Sequence, residues 1–149
     1  MTTAFMVIES YCHATEDEKR VLHAMLNILP DDVKQDVRVE ESLLEGHYGN
    51  PIKILRITLY GDDMVIGILK GIISLMETGE IKYLLDTMDL RLDKNLNLYL
   101  RIDKNEAYIG KIKINEHGDD IIKIRFSLSK RKILRDLLEY LKRLTNEKH

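Results

Sequence analysis

The chain has 149 residues, 44% apolar and 32% charged, which is the length and balance of one globular domain built around its own core. No apolar run approaches the ~20 residues of a membrane span, and the start MTTAFMVIES lacks the basic region and long apolar stretch of a signal peptide. The formal charge of −2 argues against a general polyanion binder, but it hides an asymmetry: residues 1–45 hold 4 Lys/Arg against 10 Asp/Glu (−6), residues 46–90 hold 4 against 6 (−2), and residues 91–149 hold 15 against 9 (+6).

Alternation from Phe5 to Cys12 predicts a first strand, with Met6, Ile8 and Cys12 on one face and Phe5, Val7 and Tyr11 on the other. Thr15 followed by Glu18 has the spacing of a capping box. Val21, Leu22, Met25, Leu26 and Leu29 then place a helix at about 16–29, ended by Pro30. Val37 and Val39 alternate with Arg38 and Glu40 in a second strand. The cluster Gly46-His-Tyr-Gly-Asn-Pro51 reads as a turn, and Ile52 to Tyr60 as a third strand forming a hairpin with the second. Asp62 is the expected N-cap of a helix carrying Val65, Ile68, Leu69, Ile72, Ile73 and Met76. Met64 and Ile66 widen its apolar arc, which suggests a homodimer surface.

Beyond Gly79 a shorter helix (Ile81, Leu84, Leu85) leads to four expected strands: Leu90 to Leu92, Leu98 to Ile102, Lys111 to Ile114, and Ile122 to Phe126. A last amphipathic helix begins at Ser129, with Leu134, Leu137, Leu138, Leu141 and Leu144 inward. The expected fold is a single α+β domain over 1–149, a two-layer sandwich whose antiparallel sheet is covered on one face by helices.

Catalytic and metal signatures are missing from this pattern. The single cysteine, Cys12, lies in an apolar strand and reads as a buried, inert thiol. Its neighbour His13 points to the opposite face of a strand and cannot serve as its base. His13, His23, His47, His117 and His149 have no ligand spacing, so no metal or other cofactor is expected. Asp31-Asp32, Asp62-Asp63 and Asp119-Asp120 fall at helix starts and turns, where Asp is favoured for its capping chemistry. A protein without disulfides, leader or span is expected in a reducing cytoplasm, with no membrane partner.

Strand parity carries the positive signal. If Leu98, Leu100, Ile102, Ile112, Ile114, Ile122, Ile124 and Phe126 face the core, then Arg91, Tyr99, Arg101, Lys111, Lys113, Lys123 and Arg125 share the other face. Six cations and a tyrosine form an RNA surface in kind, because cations neutralise phosphates and tyrosine stacks unpaired bases. A solvated face with Asp93, Asp103 and Glu116 as local partners is the plain alternative. His47 and Tyr48 in the glycine-rich turn are further candidates for stacking and hydrogen bonding, although Gly, Asn and Pro there also satisfy turn geometry alone.

The segments His13-Ala-Thr-Glu-Asp17, Glu45-Gly-His-Tyr-Gly-Asn-Pro-Ile52, Tyr99-Leu-Arg-Ile-Asp-Lys104 and Ala107-Tyr-Ile-Gly110 resemble a small archaeal family described as RNA-binding and as a predicted exosome subunit. The resemblance spans nearly the whole chain. It implies a fold similar to the ribosomal protein that binds 5S rRNA and a homodimer. The expected function is therefore non-catalytic RNA binding, as an accessory of the exosome or another RNA-processing complex. A homodimeric scaffold that keeps the fold of an RNA binder without binding RNA is the alternative.

Overall fold

The computed structural model describes residues 3–45 and 49–146. Its first strand, β1 (Phe5–Cys12), alternates half-buried and buried residues without interruption. The period of two thus delivers Met6, Ile8, Ser10 and Cys12 to the core and Phe5, Val7, Glu9 and Tyr11 to the opposite face. Around β1 an antiparallel sheet forms from β2 (Val39–Glu45), β3 (Pro51–Tyr60), β4 (Asn97–Asp103) and β5 (Ile121–Ser127), in the order β2-β3-β1-β5-β4. The most apolar strand is central, where both edges are paired and one face is covered.

Helices cover that face. α1 (Glu18–Leu26) and α3 (Asp62–Ser74) bury Val21, Ala24, Met25, Val65, Ile68, Leu69, Ile72 and Ile73. Short α2 (Asp31–Lys34) precedes β2, while α5 (Met88–Arg91) and α6 (Lys104–Tyr108) pack beside β4 and α4 (Thr78–Asp86) lies against α5. The last helix, α7 (Arg131–Asn146), packs on α4 and buries Ile133, Leu137 and Leu141. Helix side chains and the inward strand residues Leu55, Ile57, Leu98, Leu100, Ile102, Ile124 and Phe126 form one hydrophobic cluster. The α+β sandwich with a helix layer on one face of an antiparallel sheet is thus the observed architecture.

Several local expectations change. Asp17, not Thr15, caps α1 by accepting from the Lys19 amide at 3.0 Å. The neighbouring glutamates are recruited elsewhere: Glu18 pairs with Lys53 at 3.1 Å and Glu16 with Lys104 at 3.1 Å. Gly61 takes the cap position of α3 at φ +118°, a conformation open to glycine. Asp62 instead joins distant segments, accepting from the Ala4 amide at 2.8 Å and from Lys130 at 2.9 Å. Of the apolar arc on α3, Leu69 and Ile73 are buried in the protein's own core, leaving Met64 exposed and Ile66 half-buried.

The strand expected at Leu90 to Leu92 is replaced by the helical turn α5, with Leu92 making a lone bridge to Leu98. The strand expected at Lys111 to Ile114 shrinks to a single bridge, Ile114 to Ile102. The tight return after α6, closed by bonds from the Gly110 amide to Ala107 and the Lys111 amide to Glu106, leaves too little extended chain for a full strand.

Candidate nucleic-acid interface

The sheet face away from the helices is the candidate site, and strand register fixes its rows. One row runs Glu40, Arg56, Glu9, Lys123, Arg101 across all five strands. The next runs Thr58, Val7, Arg125, Tyr99. Charge is therefore not uniform along the face. On the β3 side Arg56 is spent on Glu9, with Nε donating at 2.8 Å and Nη2 at 2.6 Å. On the β4–β5 side Arg101, Lys123 and Arg125 have no ion pair among the described residues. The net positive field belongs to that half.

Each of these side chains is placed by its neighbours. Arg125 lies over the Phe5 ring at 5.2 Å, and its Nη1 reaches Asn97 at 3.5 Å. Lys123 sits 5.3 Å from the centre of the Tyr11 ring. Tyr99, 45% exposed, donates its hydroxyl to Asp93 at 3.1 Å. That bond raises the Tyr99 hydroxyl above its ordinary pKa, while Asp93 is held low chiefly by bonds from the amide and side chain of Asn97. The tyrosine ring is thus tethered at its tip, with its body toward solvent.

Arg101 is the most telling member. Its Nη2 donates to the Gly118 carbonyl at 3.1 Å, which fixes the guanidinium, yet its Nε is buried and has no hydrogen-bond partner. A buried donor without an acceptor is uncommon, because desolvating it costs about 1–3 kcal/mol. Two concavities meet at this residue. One of about 630 Å³ is lined by Val7, Glu9, Arg56, Tyr99, Lys123 and Arg125 as well as Arg101. The other, of about 390 Å³, extends toward Tyr11 and the Gly118 turn.

The remaining sequence candidates are distributed differently. Arg91 is buried at 7% exposure and held by Glu116 through two bonds of 3.2 Å, with its Nε on Thr87 at 2.9 Å. Helical α5 turns it away from strand parity, so it does not join the face. Lys113 does belong there: its carbonyl accepts from the Asp103 amide at 2.8 Å beside the Ile102–Ile114 bridge, which carries strand parity outward from β4. Lys111 is exposed and lies before that bridge, in the turn after α6. His47 and Tyr48 lie outside the described residues. Sequence parity put Phe5, Val7 and Tyr11 on one face of the first strand, but only β1–β5 pairing brings the Phe5 and Tyr11 rings under Arg125 and Lys123.

The acids foreseen as local partners are occupied. Asp93 holds Tyr99, Asp103 caps α6 through the Glu106 amide and accepts from Asn115, and Glu116 holds Arg91. Cys12 is buried, and burial first, then Glu16 and Glu18, pushes its thiol above the ordinary value. Among the described residues no group of three or more His, Cys, Asp or Glu side chains could hold a metal ion, and no helix is long and apolar enough to cross a membrane.

The family described as RNA binding matches residues 6–128. An RNA-binding protein of Pyrococcus abyssi is 30% identical over 140 residues, covering 90% of each chain. An uncharacterised protein of Methanocaldococcus jannaschii is 37% identical over 125 residues, 80% of each chain. A crystal structure of a DUF54-family protein from Sulfolobus solfataricus superposes with a TM-score of 0.77 at 25% identity, over 97% of this chain and 99% of its own. On the extent of that match and the full-length relatives, the chain belongs to the RNA_binding family.

Proposed function

We propose that this protein is a non-catalytic RNA-binding protein that grips the phosphate backbone with Arg101, Lys123 and Arg125 on the β4–β5 half of its open sheet face, with Lys111 and Lys113 at its margin. The three cations Arg101, Lys123 and Arg125, which share one half of the face without an ion pair among the described residues, carry the reading. The Arg101 guanidinium is already oriented by Gly118, and its outer amino groups would donate to phosphate oxygens. Tyr99 offers an aromatic surface beside it. The family match and the Pyrococcus abyssi relative support RNA as the partner.

The setting we propose is RNA processing, including attachment to an exosome-type complex, which is supported by the sequence resemblance described above. For self-association, the exposed Leu43 and Leu44 on the edge strand β2 now give better support than α3. The RNA reading is tested by binding a cellular RNA pool at several salt concentrations, with crosslinking in cells to identify the RNA. Each phosphate contact contributes roughly 0.7 to the logarithmic salt slope on single strands. Arg101→Ala with Arg125→Ala should therefore flatten the slope by about 1.4. A folded double variant with unchanged affinity and slope refutes the assignment.

A further inference from the structure

The smaller concavity beside Arg101 differs in chemistry from the cationic half of the face. Its floor is apolar: Ile121 is buried at 6% exposure outside the main core, and Ile52 and Tyr11 are half-buried around it. His13 and the Gly118 turn close its sides. Arg101 and Lys123 line it where it adjoins the larger concavity, together with two carboxylates, Glu9, which Arg56 neutralises, and Asp119. A phosphate suits the two cations at that border but is repelled by Asp119 and gains nothing from the isoleucines deeper in. A flat, uncharged ring with polar edges fits both. At about 390 Å³ the hollow lies at the small end of the range for sites that take small ligands.

We propose that this hollow receives one unstacked base of a single-stranded RNA, stacked on Tyr11, while the adjoining phosphate is held at the rim by Arg101 and Lys123. The inference rests on the RNA-binding reading above and deepens it by naming the form of RNA. The register supports the arrangement: Arg101 and Lys123 are a cross-strand pair, and Ser10 opposite Ile122 places Tyr11 one row further along the same face. Lys123 now lies over the Tyr11 ring, where the base would sit. Its long stem lets the ammonium swing to the incoming phosphate, exchanging a cation–π contact for an ion pair and freeing the ring. Paired bases of an A-form duplex are stacked and cannot enter, so the site discriminates against double strands.

The experiment measures fluorescence anisotropy of a single strand of about ten nucleotides, within the usual footprint of such proteins, and of the same strand annealed to its complement. Wild type should favour the single strand by at least about tenfold, the discrimination that stacking of one base can supply. Tyr11→Ala should lose roughly 5- to 150-fold of single-strand affinity with the salt slope and duplex affinity unchanged, and Tyr11→Phe should retain it. Should Tyr11→Ala not fold, a 4-thiouridine strand crosslinked to wild type should be found by mass spectrometry on the peptide bearing Tyr11 and His13. Equal affinity for duplex, or a crosslink confined to the Tyr99 peptide, overturns the base pocket while leaving RNA binding in place. A nucleoside monophosphate that binds as tightly as the oligonucleotide also overturns it, and failure to bind any RNA overturns both readings.

Discussion

Arg91 and Arg101 look equivalent by strand parity, and the structure separates them completely. Arg91→Ala removes one partner of a nearly buried bidentate ion pair, a change that costs about 3–5 kcal/mol when both charges are fully buried. Glu116 is 35% exposed at its side chain and can be rehydrated, which lowers the expected cost to about 2–3 kcal/mol. For a chain of this size that is a fall of roughly 6–9 °C in Tm. Arg101→Ala loses only a bond to the Gly118 carbonyl and a buried donor that had no partner, so it should cost about 1 kcal/mol or less.

The binding assay should invert that order. Arg101→Ala should reduce the RNA salt slope by roughly 0.7, whereas Arg91→Ala, measured well below its lowered Tm, should leave slope and affinity at wild-type values. Calorimetry and anisotropy on the same three proteins decide it. An Arg91→Ala variant with normal Tm and weakened RNA binding would mean that α5 is not where the structure puts it, and that parity was the better guide.

Other outcomes follow from single contacts. The Ala4 amide first and Lys130 second hold the Asp62 carboxyl below its ordinary value. Its folded pKa lies below the unfolded value of about 3.9, so its stabilising contribution is complete above that pH and is lost as pH falls through the folded pKa. Asp62→Asn should thus lower the urea midpoint at pH 7, with a deficit that shrinks as pH falls below about 3.9; a deficit that stays constant with falling pH would refute the linkage. Cys12, buried and with a raised thiol pKa, should react with a thiol reagent only as fast as the protein opens, and immediate labelling of native protein would contradict its position. For self-association through β2, Leu43→Lys should convert dimer to monomer in sedimentation equilibrium at about ten micromolar. A wild type that is monomeric there refutes the homodimer.

Most of the layered architecture was legible in the sequence because amphipathic periodicity is a local property. Phe5 to Cys12 alternates and forms β1; the apolar repeats of α1, α3 and α7 lie where helices are found. Parity within β4 and β5 likewise placed Tyr99, Arg101, Lys123 and Arg125 together, since a side chain's face follows from its residue number once a strand is extended. Local pattern failed where short segments read as strands but met competing demands. Leu90-Arg-Leu alternates over only three residues, and the buried pairing of Arg91 with Glu116, 25 residues on, is satisfied within a helical turn. Thr15 has good capping spacing, but Glu16 and Glu18 serve lysines far along the chain, and Asp17 caps in its place.

What tertiary structure alone decided is which charges remain available. Sequence counted cations, and strand order showed that Arg56 is cancelled by Glu9 on β1 while Arg101 is left with an unpaired donor. The hollow beside Arg101 exists because Tyr11, Ile52, Gly118 and Ile121 come together from three strands and a turn. Periodicity assigns a residue to a face, but a binding site is a set of distances between chains of residues remote in sequence, and only long-range pairing fixes those.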